Sequence, residues 1–294
     1  MNASEIIVSP SGKVYHLNIS SADVAEKVIL VGDPARVDKV KEHFDAIRFE
    51  SQKREFRICT GTFKGQSMSI VSTGIGTDNI DIVLHELDMA WNLKEGERTY
   101  KEEKVSAKIL RFGTCGSIQT DVPVGSQVFS RFALGGDNLL SFYQRPSYPL
   151  RETLEDEINK FNPDLSKLPF SFYGAICDSS IWNLIQEKYP FVLGGITYTA
   201  PGFYGPQARA TGRTSLKVPE FLRHIASFSF RDLRVLNMEM ETAGILGMAE
   251  LLGHQAGSLS AVLANRRTGN FADNPAEEVD KLIQTGLSII HDWH

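Results

Sequence analysis

Cysteine is scarce in this chain. Cys59, Cys115 and Cys177 are spread widely over 294 residues, odd in number and without a CxxC spacing. That excludes a disulfide framework and gives no support to a thiolate metal or redox centre. Reduced thiols fit a cytoplasmic protein. Long apolar runs are also missing: a membrane helix needs about 20 consecutive apolar residues, and the most apolar long stretch, 191–204, is interrupted by Gly194, Gly195, Pro201 and Gly202. The opening residues carry neither the basic region nor the apolar core of a secretory leader. Positive charge is not in excess. With a net charge of −5 no global field draws nucleic acid or an anionic membrane, so an anionic ligand would require locally gathered arginines. Several chemical signatures are absent as well. There is no HExxH or paired Cys/His spacing for a metal and no GxSxG elbow, and Ser72–Thr77 lacks the third glycine of a dinucleotide-binding turn.

What remains is the composition of an ordinary globular protein, 42% hydrophobic and 23% charged, long enough to bury a sizeable core. No internal repeat or low-complexity tract divides it, and the Lys- and Glu-rich run 94–104 reads as a solvated excursion. Short apolar runs at 28–31, 67–71, 109–112, 127–132 and 259–264 have the character of buried strands. Helical patterns alternate with them. Ile80, Val83, Leu84, Leu87 and Trp91 share one face behind an Asp78 cap, and a helix over 240–252 stops at Gly253. Asn274-Pro275 opens a last helix with Val279, Leu282, Ile283, Leu287 and Ile290 as its apolar stripe. This alternation predicts a single α/β domain with helices on both faces of the sheet.

Five polar constellations interrupt the apolar pattern. A strand ends at Gly32, turns at Asp33-Pro34 and enters a helix carrying Arg36; the arrangement suits an anion or is simply a tight turn with a surface arginine. Arg111 lies inside an apolar strand, where an unpaired guanidinium is costly, so it requires a carboxylate or a bound anion. Gly113-Thr114-Cys115-Gly116 then reads as a small turn with accessible backbone donors. Glu239 and Glu241 flank Met240 at a strand-to-helix junction, where they serve either a ligand's vicinal hydroxyls or the helix dipole. The loop Gly202–Arg209 can aim Gln207 and Arg209 at one planar ligand with Phe203 stacked on it, or be a mobile polar loop. Residues 262–266 end a buried strand with Asn265-Arg266, the place where an α/β sheet presents ligand contacts.

In sequence order, Gly32-Asp33-Pro34-Ala35-Arg36, Arg54-Glu55-Phe56, Ser72–Gly76, Arg111–Gly116, Phe203–Arg209, Glu239-Met240-Glu241 and Asn265-Arg266 together resemble the signature segments of the trimeric/hexameric nucleoside phosphorylase superfamily, in its uridine phosphorylase branch. The resemblance spans about residues 15–290. Departures fall at 196–201 and in the order Gly205-Pro206, beside the expected base loop.

The resemblance implies a central mixed, twisted, partly barrel-like sheet and phosphorolysis of uridine, or of deoxyuridine or thymidine, by inorganic phosphate without metal or organic cofactor. It places Gly32, Arg36, Arg111 and Thr114 around phosphate, with Arg54 reaching the same phosphate from a neighbouring subunit. His16, also from the neighbour, joins Thr114, Met240 and Glu241 at the ribose. Phe203, Gln207, Arg209, Glu239, Leu263 and Arg266 form the base site. A homodimer is then the smallest active unit, assembled into a homohexamer. The rivals are a purine nucleoside phosphorylase, a hydrolytic nucleosidase of the same fold and a non-catalytic nucleoside-binding protein. Asn265 stands where a purine enzyme commonly has a proton-donating Asp, and the three arginines have no use in a hydrolase. On this reading Arg111→Ala lowers turnover far more than it disturbs folding, as parallel activity and denaturation measurements would show.

Overall fold

Among residues 2–294, which the computed structural model describes, eleven strands and seven α-helices alternate along the chain. The first half runs β1 (Lys27–Val31), α1 (Pro34–Lys41), β2 (Ala46–Lys53), β3 (Phe56–Phe63), β4 (Gln66–Ser72), α2 (Thr77–Asn92), β5 (Lys108–Ser117) and β6 (Gln127–Gly135). The second half runs α3 (Pro149–Phe161), β7 (Tyr173–Ile176), α4 (Ser179–Lys188), β8 (Leu193–Thr199), α5 (Phe221–Ala226), β9 (Ser229–Phe230), β10 (Leu233–Glu239), α6 (Thr242–Leu252), β11 (Gln255–Asn265) and α7 (Pro275–Asp292).

One mixed sheet holds all the strands. β5, β11, β6, β8 and β10 pair in that order, and β10 closes antiparallel onto β5 through Asn237–Ser117 and Met238–Gly116. The ring is therefore a small barrel. From its β5 seam the sheet continues outward as an open wing, β1, β4, β3 and β2. The expected α/β class and partly barrel-like sheet describe this architecture. β5 is the strand on which it turns, because it belongs to both ring and wing: Arg111 has Leu30 of β1 on one side and Ser258 of β11 on the other. The parallel strands β1, β4 and β5 run the same way, so the loops leaving them gather at one edge, where open α/β sheets place ligands.

The helices obey the apolar spacing that the sequence carries. Ile80, Val83, Leu84, Leu87 and Trp91 of α2 are buried, as are Val279, Leu282, Ile283, Leu287 and Ile290 of α7. Two starts differ from expectation. α2 begins at Thr77 behind Gly76, leaving Asp78 in the first turn, because Gly76 takes a φ of +97° that only glycine adopts readily. α6 begins at Thr242 rather than Met240, since the Glu239 carboxylate already receives the N–H groups of residues 241 and 242. Gly253 ends α6 in the left-handed conformation expected of a stop. Residues 94–104 are mostly exposed and make a short surface turn.

β2, β3, β7, β8 and β10 and helices α3, α4 and α5 go beyond the expected elements. β2 is an edge strand, largely exposed and rich in charge, so it shows no apolar run. Gly194-Gly195 interrupts the pattern of β8. α7 lies against β5 so tightly that a Cβ on Gly286 would stand 2.5 Å from Phe112 Cε1. Gly286→Val therefore overpacks this seam. Its midpoint in urea falls by the equivalent of about 1–3 kcal/mol; an unchanged midpoint would contradict the packing.

Candidate active site

A cleft of about 900 Å³ opens where the loops after β1, β4, β10 and β11 meet the second half of β5. Eleven of the sequence-derived candidates line it: Gly32, Arg36, Arg111, Thr114, Phe203, Gln207, Arg209, Glu239, Met240, Glu241 and Leu263. These residues are far apart in the chain, and the barrel closure brings them together.

The β1–α1 turn is built locally. The Asp33 carboxylate caps α1 by accepting the Ala35 N–H at 2.8 Å, and Pro34 occupies the first helical turn without losing a hydrogen bond. Arg36 then extends over the end of β5, where its Nη1 donates to the Phe112 carbonyl at 3.1 Å. Burial lowers the Arg36 pKa, and the charge of Arg111 lowers it further. Two guanidinium groups thus face one cleft, an arrangement that an anion between them would relieve.

Arg111 is 5% exposed. Its Nη2 lies 2.6 Å from Glu241 Oε2 and 3.1 Å from Glu239 Oε2, and its Nη1 donates to Ser260 Oγ at 3.2 Å. Burial alone would depress its pKa, but the two glutamates outweigh burial and raise it. Burial raises the Glu241 carboxyl above the ordinary range; Arg111 draws it back without cancelling the effect, and the Glu239 charge adds to the rise. Removing the guanidinium leaves two buried carboxylates facing each other, a loss of about 3–5 kcal/mol. The side chain is both a cleft group and a buried counter-charge, so Arg111→Ala is expected to cost stability as well as turnover.

Glu241 also accepts the Gly76 N–H at 2.8 Å, so the Ser72–Thr77 segment fixes this carboxylate instead of cradling a dinucleotide. Glu239 has protein partners on both oxygens. Thr199 Oγ1 donates to Oε1 at 2.6 Å, while Oε2 takes the N–H groups of Glu241 and Thr242 at 2.9 Å each. The expected contact of Glu239 with a base is not what holds it here. Residues 113–116 also differ from expectation. They remain in β5, laddered to β11, so their backbone donors belong to a strand and not to an open turn. Burial pushes the neighbouring Cys115 thiol up to about 12, which leaves it an unreactive wall group.

On the opposite wall the loop after β8 folds into a short turn. Arg209 stacks on Phe203 with its guanidinium carbon 3.8 Å from the ring centroid. Its Nη1 donates to the Phe203 carbonyl and to Gln207 Oε1, both at 2.6 Å, which sets the orientation of the Gln207 amide. Arg266 braces the loop from beneath by donating to the carbonyls of Gln207 at 2.9 Å and Ala208 at 3.4 Å. That brace steadies Ala208 at a φ of +56°. Burial and the Arg266 charge both lower the Arg209 pKa.

Three candidates do not line the cleft: Arg266, which lies beneath the loop, and two that stand away from it. Arg54 is exposed at the β2–β3 turn, and His16 is held at the surface by Glu86, its Nδ1 2.7 Å from Glu86 Oε1. Asn265 is buried with its amide spent on backbone: Nδ2 donates to Gln119 and Val122, and Oδ1 accepts from Arg267 and Thr268. The cleft also includes Glu55, Gly74, Ile75, Asn79, Phe271 and Ala272, which residue-by-residue reasoning does not single out. Gly74 and Ile75 sit in a segment whose glycines were a signal. Phe271, 73% exposed at the mouth, carries none.

Against known proteins, the family model of the phosphorylase superfamily matches residues 26–289. The uridine phosphorylase of Thermococcus kodakarensis is 29% identical over 284 residues, covering 96% of this chain and 88% of its own. The guanosine phosphorylase of Halorubrum lacusprofundi is 33% identical over 260 residues, covering 88% of this chain and 86% of its own. The crystal structure of the Trypanosoma brucei nucleoside phosphorylase, described as showing uridine phosphorylase activity, superposes with a TM-score of 0.85 at 29% identity over 97% of this chain and 98% of that one.

Gly113 lies hard against the Arg111 guanidinium, since a Cβ there would stand 1.6 Å from Arg111 Nη1. Gly113→Ala must displace the guanidinium. Inorganic phosphate is then expected to raise the melting temperature of the native protein but not that of the variant. Equal protection of both would show that Arg111 takes no part in holding the anion.

Proposed function

The chain belongs to the phosphorylase superfamily, and within it we propose a uridine phosphorylase that cleaves uridine reversibly with inorganic phosphate to uracil and ribose 1-phosphate, in pyrimidine salvage. The observation that carries this reading is the meeting of Arg36 and Arg111 at one cleft, next to the Glu241 carboxylate and across from the Gln207–Arg209 pair. The uridine phosphorylases among its relatives support it.

The chemistry follows from charge. Arg36 and Arg111 hold a phosphate dianion that an acidic protein otherwise repels, with Gly32 and Thr114 beside it. In the free protein Glu241 and Arg111 satisfy each other; on binding, the guanidinium turns to phosphate and the carboxylate to the ribose hydroxyls, with Met240 under the sugar. A phosphate oxygen bonds to C1′ as the bond from C1′ to N1 of uracil breaks, and that electron pair leaves with the base. The phosphate charge stabilises the cationic sugar. Gln207 and Arg209 stabilise the departing uracil anion, which regains its proton from solvent, while Phe203 and Leu263 wall the base and Arg266 holds the loop. Glu239 is a support for Arg111 rather than a base contact. The reaction so drawn takes phosphate as co-substrate and asks for no metal or organic cofactor.

Arg54 and His16 lie outside the cleft of their own chain, so their expected roles at phosphate and ribose require a second copy. We take a homodimer as the active unit and a homohexamer as its assembly. Three buried, unpaired cysteines agree with a reducing, cytoplasmic compartment.

The guanosine phosphorylase relative makes purine cleavage the second reading. Against it, Asn265 stands at the strand end with its amide fully engaged by backbone, leaving no proton donor there for a purine ring. The test is release of free base from uridine, deoxyuridine, thymidine, inosine and guanosine, each with and without phosphate. Uracil release that depends on phosphate is expected, and inosine or guanosine as the better substrate would reverse the assignment. Arg111→Lys keeps the buried charge but not the fork, and kcat/KM is expected to fall by about 10²–10³, with a smaller loss of melting temperature than Arg111→Ala.

A further inference from the structure

The segment 196–201 departs from the family pattern, and the reaction drawn above gives it no role. Its last strand residue, Thr199, is fully buried. The hydroxyl donates to Glu239 Oε1 at 2.6 Å and accepts the Ala243 N–H at 2.9 Å, joining the end of β8 to the first turn of α6. Glu239 Oε2 is meanwhile fixed by the N–H groups of Glu241 and Thr242 and lies 3.1 Å from Arg111 Nη2. Both oxygens of Glu239 are thus engaged by protein donors.

We propose that Thr199 and Glu239 are positioning residues: the threonine hydroxyl orients the buried glutamate, and the glutamate aims Arg111 at phosphate. The need for this arises from the competition at Arg111. Its Nη2 is shared by Glu241 at 2.6 Å and Glu239 at 3.1 Å. Glu241 has to turn to the ribose, and once it does only Glu239 and Ser260 keep the guanidinium in place. A carboxylate gripped from three sides by donors gives a fixed anchor where Glu241 gives a movable one. The hydroxyl matters because Oε1 has no other partner to set the carboxylate plane.

This inference rests on the phosphorylase reading, and it is tested by Thr199→Val, which deletes the hydroxyl while keeping the side-chain shape, with Thr199→Ser as the rescue and Glu239→Gln as an independent second lesion. Two quantities are measured for each: steady-state kinetics with phosphate and uridine varied separately, and the rise in melting temperature given by inorganic phosphate. In Thr199→Val and Glu239→Gln, kcat/KM for phosphate is expected to fall about tenfold or more, the loss for a hydrogen bond to a charged group. The KM for uridine at saturating phosphate stays near the native value, and Thr199→Ser recovers most of the phosphate term. A merely structural threonine would lower the melting temperature while leaving phosphate kinetics and phosphate protection native, and that result overturns the proposal. Should Thr199→Val not fold, the same comparison in Glu239→Gln decides. Native turnover with unaltered phosphate dependence in the variants sinks this inference alone. Phosphate protection that is lost in the variants, in a protein that does not cleave uridine, sinks the uridine phosphorylase reading alone.

Discussion

A single buried guanidinium organises this molecule. Arg111 sits in the strand shared by the barrel and the open wing, and its burial is tolerated only because Glu239, Glu241 and Ser260 meet it. Two carboxylates against one cation leave the cluster short of positive charge, and Arg36 supplies more at the cleft. The result is a group of charges that satisfy one another at the wall of the cleft. An arginine paired once and permanently would be structural only. An unpaired one could not be buried.

The neighbouring elements read as devices for keeping that cluster in register. α6 begins where it does because Glu239 takes its first free N–H groups, so the helix start and the support of Arg111 are one arrangement. Gly76 takes a conformation closed to most residues and directs its N–H to Glu241. Gly113 is bare because the guanidinium lies across it. On the far wall, Arg266 and Arg209 do for the loop after β8 what the glutamates do for Arg111, one gripping backbone carbonyls and the other an amide oxygen. Charged side chains thus fix loops in which few apolar contacts are available.

This explains why activity and stability cannot be separated cleanly at the centre of the cleft. At Arg111, Glu239 and Glu241 the same contacts hold the fold and face the cleft, whereas those of Gln207, Arg209 and Phe203 lie within a loop after β8, where Gln207 is buried and Phe203 exposed. The family relationship is consistent with that division, since uridine and guanosine phosphorylases share the superfamily while differing in the base they cleave.

Local sequence carried strands β1, β4, β5, β6 and β11, the apolar faces of α2 and α7, the stop at Gly253 and the need of Arg111 for a counter-charge. Each follows from spacing or from the cost of burying charge, which are properties of short segments. Most of the cleft residues fall within the segments that carry the family pattern. Other features depend on partners distant in the chain. Edge strand β2 and the glycine-broken β8 are strands because neighbours pair with them, and residues 113–116 stay extended because β11 ladders to them. Glu239 takes its partners from Thr199 and from the start of α6, and Asn265 turns inward to backbone carbonyls. Only barrel closure decides which donors surround a buried oxygen, and that choice is what separates a substrate contact from its scaffold.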